Sequence, residues 1–195
     1  ILLFYMAKVF NKNKLKISDL YLIIIRKVKI LIISVKEIKK FIICVAIPLV
    51  TGILSSSIAV LLSQMPFKMQ YMQLIKPDFS PPASVFPIIW PILYILMGIS
   101  AYIILSSKKS TQKINDAMFF YYLQLVLNFL WSILFFGLNL RFVAFIESIL
   151  LGLVLIAMIY KFYKVDQRAS LINIPYLLWI FFVIFLSYFI WILNK

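Results

Sequence analysis

Histidine is absent from this chain of 195 residues, cysteine occurs once, at Cys44, and only six residues are acidic. Each shortage excludes a chemistry. Without histidine there is no Ser-His-Asp triad, no Cys-His pair, no His-ligated metal and no proximal haem histidine. A single cysteine excludes an internal disulfide framework and a multi-cysteine zinc or iron–sulfur site. No metal site and no built-in cofactor is therefore expected, and no conventional enzyme centre. Charge is also scarce: charged residues make up 13% of the chain, too few to cover a soluble domain of this length.

Hydrophobic residues make up 65% of the chain, and they are gathered into runs. Five stretches are long enough to cross a hydrocarbon core, which takes about 20 helical residues: 41–62, 85–105, 117–136, 142–160 and 171–193. The runs are continuous and do not alternate with a period of two, so strands of a barrel are excluded. The fold class expected is all-α, a polytopic membrane protein whose residues 41–195 form a five-transmembrane-helix bundle. Between the runs lie a proline-rich first loop from Pro66 to Pro82, the polar segment from Ser106 to Asp116, a tight turn from Gly137 to Arg141, and a charged stretch from Lys161 to Ser170.

The net charge of +14 is concentrated, since ten of the twenty Lys and Arg residues precede residue 41. That placement favours a membrane-surface or topogenic role over nucleic acid, which is not an expected partner. The tail and the second and fourth loops carry 16 Lys and Arg residues against four in the first loop, third loop and C-terminus. The positive-inside rule then places the N-terminus in the cytoplasm and the C-terminus outside. In the basic tail, residues 1–40, Asp19, Arg26, Lys29, Lys36 and Lys40 fall on one helical face, as in a helix lying in the membrane plane. Lys27 falls on the apolar side, and a poorly ordered tail is the equal alternative. The sequence begins at Ile1, with Met6 as a candidate start. The run Leu20 to Ile25 is too short for the core of a signal peptide.

Polar and aromatic residues inside spans mark where a site can lie, because each costs free energy unless it is paired or faces a cavity. Tyr121, Gln124, Asn128 and Trp131 share one face of the third span, at spacings of three, four and three. Trp90, Tyr94, Met97 and Ala101 make a comparable stripe in the second, and Tyr176, Trp179, Val183 and Ser187 in the fifth. Glu147 is the only acidic residue within any of the five runs. At a helical rise of about 1.5 Å per residue, Trp90, Trp131, Glu147 and Ser187 fall in one layer, with Asn128 one turn deeper. Such a layer suits a ligand pocket between helices, and the first loop lies on the same side to cover it. For any one aromatic or amide taken alone, an interfacial belt or a helix-to-helix hydrogen bond is the commoner role.

Lys76 to Gly98 reads KPDFSPPASVFPIIWPILYILMG, Gln124 to Gly137 reads QLVLNFLWSILFFG, and Pro175 to Trp179 reads PYLLW. These segments resemble the translocator protein / tryptophan-rich sensory protein (TspO/MBR) family, whose patterns are KPxFxPPxWVFxxVWxxLYxxMG, QLxLNxxWxxxFFG and PYLxW. Glu147 falls where that family carries an acidic residue, and the resemblance extends over about residues 41–194. It departs at Ser84, Gln70 and Val143, where the family has tryptophan, and at Ser187, where it has asparagine. The resemblance implies a five-helix bundle, commonly a homodimer, in a membrane expected to be a bacterial cell membrane. It also implies a pocket for porphyrins or other flat apolar ligands, closed by the first loop. The implied ligand residues are Trp90, Tyr94, Asn128, Trp131, Glu147, Tyr176 and Trp179. A tetrapyrrole-binding sensor or regulator is the leading expectation. Light- and oxygen-dependent porphyrin degradation is the alternative from the enzyme class. A transporter is disfavoured by the lack of internal repeats and broken helix pairs. The sterol motif of some members is not matched, because Leu186 and Tyr188 meet no basic residue before Lys195.

Overall fold

A computed structural model describes the backbone from Ile17 onward, and side chains at Ile25 and from Ser34 to Lys195. Residues 1–16 and the side chains of Asp19, Arg26, Lys27 and Lys29, on which the amphipathic reading of the tail depends, lie outside the described residues. The chain divides into two units, residues 1–40 and 41–195. Among the described residues there is no strand. The helices are α1 (Ile17–Ser63), α2 (Phe67–Gln73), α3 (Phe86–Leu105), α4 (Thr111–Ser132), α5 (Arg141–Val165), α6 (Gln167–Ile172) and α7 (Ile174–Leu193).

Among the described residues, five segments are long and apolar enough to span a membrane: Ser34–Ser63, Ala83–Leu105, Thr111–Gly137, Arg141–Val165 and Gln167–Leu193. The protein is a polytopic, all-α membrane protein. Every span outruns its apolar stretch at one or both ends, because a helical hydrogen-bond ladder has no reason to stop where lipid does. The fourth loop shrinks accordingly to Asp166, whose carboxylate accepts from the Arg168 backbone N–H at 2.8 Å and starts α6. Asp116, on the second turn of α4, comes within 3.9 Å of Lys161 near the end of α5. Both are substantially exposed, so the pair adds little stability.

Helices α4, α5 and α7, with α3 against them, bury the main core, which includes Met97, Tyr121, Leu155, Phe162, Tyr176 and Ile180. Near the other end a second cluster gathers Tyr71, Phe86, Trp131, Phe135, Phe136 and Ile190. Phe135 and Phe136 are neighbours in sequence yet both are buried. A single π-helical turn, Ile133–Gly137, brings this about by widening the end of α4. The turn closes through Leu138 N–H to the Ile133 carbonyl, and Asn139 takes φ 56°, a left-handed conformation that asparagine tolerates.

Helix α1 is held differently. Gly98 of α3 meets the α1 backbone at Cys44 and Val45, where a Cβ would clash outright, and Gly137 lies against Ala59 and Leu62. Small residues at a crossing let membrane helices approach closely. Between these points the Ser55 hydroxyl donates to the Phe129 carbonyl of α4 at 2.5 Å. Pro48 lies within α1, where Thr51 Oγ1 donates to the Ile47 carbonyl.

The first loop is ordered by its own bonds. Tyr71 is buried and donates to the Pro81 carbonyl at 2.9 Å, and burial raises its phenol above the ordinary value. The Lys76 ammonium donates to the Tyr71 and Leu74 carbonyls, closing the C-terminal end of α2. Asn194, past the end of α7, exchanges two hydrogen bonds with the backbone of Ile75. The first loop, the α4–α5 turn and the C-terminus thus meet at one end of the bundle.

Candidate functional site

A cavity of about 420 Å³ lies between α1, α3 and α4, with α2 at its end. Its volume is within the range of small-molecule sites. Helix α3 supplies Phe86, Trp90 and Tyr94, α4 supplies Trp131, and the π turn that follows it supplies Phe136. Helix α1 supplies Gly52, Ile53, Ser56 and Ala59, while Phe67 and Gln70 come from α2. No lining residue carries a charge. The aromatic wall is built by helical spacing: Trp90 and Tyr94, one turn apart on α3, stack with centroids 5.5 Å apart. Trp131 stacks on Phe135 at 5.1 Å and takes Phe136 edge-on. Gly52 is the reason α1 can cross here, since the Tyr94 ring occupies the space its Cβ would need.

Behind Tyr94 runs a buried polar chain. Tyr94 donates to Asn128 Oδ1 at 2.8 Å, Asn128 Nδ2 donates to the Tyr176 hydroxyl at 3.0 Å, and Tyr176 donates to Gln124 Oε1 at 3.0 Å. Each member satisfies the next, which is how buried polar groups become tolerable in an apolar medium. The chain fixes the Tyr94 ring as a rigid wall of the cavity.

Of the residues expected from sequence to share a site, Trp90, Tyr94 and Trp131 line the cavity. Asn128 and Tyr176 stand behind it in the hydrogen-bonded chain. Trp179 meets Trp90 edge-on at 6.5 Å and Phe86 at 5.9 Å, forming a second layer behind the aromatic wall. Glu147 is buried on α5 outside the cavity lining, with neither carboxylate oxygen hydrogen-bonded. Ser187 is buried on α7, also outside it. The contribution of α1 carries no aromatic or amide stripe in the sequence. Its signal is a row of small residues, Gly52, Ser56 and Ala59, at spacings of four and three.

The spans form a polytopic helical bundle with an apolar, tryptophan-walled cavity between them, the architecture of a small helical membrane protein. Residues 44–192 match the TspO/MBR family. The chain is 30% identical to the tryptophan-rich protein TspO of Chlorobaculum tepidum over 159 residues, 82% of this chain and 98% of that protein. It is 41% identical to the protein of the same name from Archaeoglobus fulgidus, over 61% of this chain and 76% of that one. Similarity reaches the translocator protein of Homo sapiens, at 31% identity over 62% of this chain and 72% of that protein. The chain belongs to the TspO/MBR family.

Proposed function

We propose that the cavity between α1, α3 and α4 binds a porphyrin or a similarly flat apolar tetrapyrrole, and that the protein serves as a membrane sensor or regulator of that ligand. The observation that carries this reading is the wall of Trp90 stacked on Tyr94, with Trp131 on the same uncharged cavity. Flat π-systems stack on such surfaces, adding about 0.5–1.5 kcal/mol per aromatic pair beyond the area buried. The name of a relative from Cereibacter sphaeroides, tryptophan-rich sensory protein, supports a sensory role. Homodimerisation is part of the proposal, as is a cytoplasmic N-terminus, which rests on the distribution of Lys and Arg.

The test is titration of the purified protein with protoporphyrin in detergent, followed by absorption in the dark and under light. Saturable binding without loss of the porphyrin bands is the expected result, and absence of binding overturns the reading. A second reading, light- and oxygen-dependent porphyrin breakdown, is favoured by Trp131, an indole on the cavity wall whose N–H is buried without a hydrogen-bond partner. Light-dependent loss of the bands with a new chromophore would select it.

A further inference from the structure

A second cavity, of about 260 Å³, lies where the first loop, the α4–α5 turn and the C-terminus meet. It adjoins the first, since Gln70 and Phe136 line both. Its character is opposite. Ser63, Gln73, Asn139, Arg141 and Asn194 join Gln70 in its wall, and Arg141 is the only charged residue among them.

Most of these polar groups are occupied in holding the wall together. Gln70 Nε2 donates to Ser63 Oγ at 2.8 Å and to the Met65 carbonyl at 2.7 Å, and the Ser63 hydroxyl donates to the Ala59 carbonyl at 2.8 Å. Asn194 Nδ2 donates to the Ile75 and Ile190 carbonyls, and its Oδ1 accepts from the Ile75 N–H. Arg141 differs. Its Nε is shielded from solvent without any hydrogen-bond partner, and Nη2 reaches Asn139 Oδ1 only at 3.4 Å. The Arg141 side chain is half-buried, and with its Nε unused and no carboxylate on the pocket wall its N–H groups are free to take an anion. Its planar fork matches a carboxylate best.

We infer that this pocket receives a carboxylate of the same ligand whose flat apolar body occupies the adjoining cavity, with Arg141 as the anchor. The inference rests on the proposed porphyrin reading and narrows it: the ligand class becomes flat amphiphilic acids, oriented with the acid toward the loop end of the bundle. Gln70 and Phe136 line both cavities, so the apolar site and the polar one share a boundary, and the carboxylate of a ligand in the first is placed next to the second.

The experiment compares protoporphyrin with its dimethyl ester, which has the same ring system and no free carboxylate, on wild-type protein and on Arg141→Gln and Arg141→Lys in detergent. Wild type is expected to bind the acid about tenfold more tightly than the ester, as for one charge-assisted anchor. Arg141→Gln brings the acid down to the affinity of the ester, and Arg141→Lys, with its charge but no fork, falls between. Equal wild-type affinities for acid and ester would overturn the anchor while leaving porphyrin binding intact. Binding of neither would overturn both. A third arm adds a short-chain phosphatidylglycerol without porphyrin. Saturable binding of that lipid by wild type but not by Arg141→Gln would assign the pocket to a phosphate headgroup and overturn the ligand-carboxylate assignment.

Discussion

The two sides of the bundle are built to different rules. In the first span only 17% of the most apolar stretch is buried, against 44% for the third and 39% for the fourth. The α4–α5–α7 side fills its interior with large side chains and threads a polar chain through it. The α1 side uses small residues to approach closely at Gly52, Gly98 and Gly137, and leaves a cavity beside them. One side supplies the rigidity and the other the space. Membrane helices gain no hydrophobic drive from packing on each other, so a helix touching its neighbours at few points sacrifices little and leaves room for a ligand.

The α1 side is most sensitive at the contact that sets its crossing with α3. Gly98→Leu forces a side chain into the backbone at Cys44 and Val45, and about 3 kcal/mol of destabilisation is expected, with loss of the cavity. Thermal unfolding in detergent measures it, and a melting temperature unchanged by the substitution would remove the crossing from the account. Next in size is Tyr176→Phe, which strips the link between Asn128 and Gln124. Here about 1–2 kcal/mol is expected, as a fall in melting temperature larger than the change in porphyrin affinity.

The cavity side should show the converse. Trp90→Phe is expected to weaken protoporphyrin binding about fivefold, on the order of 1 kcal/mol, with little change in melting temperature. Trp191→Phe serves as its control: that ring packs on Phe142 and Phe145 and under the Lys195 ammonium, away from the cavity. Equal losses in paired titrations would dissolve the distinction between wall and packing.

Two smaller effects belong to helix ends. Gln64 follows α1 with φ 53°, where a side chain is strained and glycine is not, so Gln64→Gly should stabilise by about 1 kcal/mol in the same melts. The Asp166 carboxyl is held below its ordinary value, first by the Arg168 side chain. A depressed folded value means its contribution is present above the unfolded value near 3.8 and is lost as pH falls through the folded one. The loss is about half a kcal/mol, and Asp166→Asn should flatten the acid limb of the stability profile.

The five spans were legible because lipid forces each backbone to satisfy itself over about 20 residues, a demand that leaves long runs in the sequence. Trp90 with Tyr94, and Asn128 with Trp131, could be grouped because helical periodicity puts them on common faces. Periodicity says nothing of depth beneath a face, so Asn128, Tyr176 and Trp179 could not be distinguished from lining residues. The π turn at Ile133–Gly137, which buries two adjacent phenylalanines, breaks the 3.6-residue rule by which a face is read. The short helix α2 inside a proline-rich loop is held by bonds from Tyr71 and Lys76 to carbonyls of the same loop, which no hydrophobic run announces. The role of Gly52, Ser56 and Ala59 was hidden because a cavity wall can consist of what is missing from side chains.

If the space beside those small residues is the ligand site, filling it must abolish binding. Ser56 lines the cavity, and its hydroxyl bonds only the Ile53 carbonyl of its own helix, so Ser56→Phe adds volume there while removing no contact between helices. The measurement is a protoporphyrin titration of Ser56→Phe beside wild type at matched melting temperature. At least a tenfold loss of affinity is expected for the filled cavity; wild-type affinity in a folded Ser56→Phe protein would show that the ligand binds elsewhere.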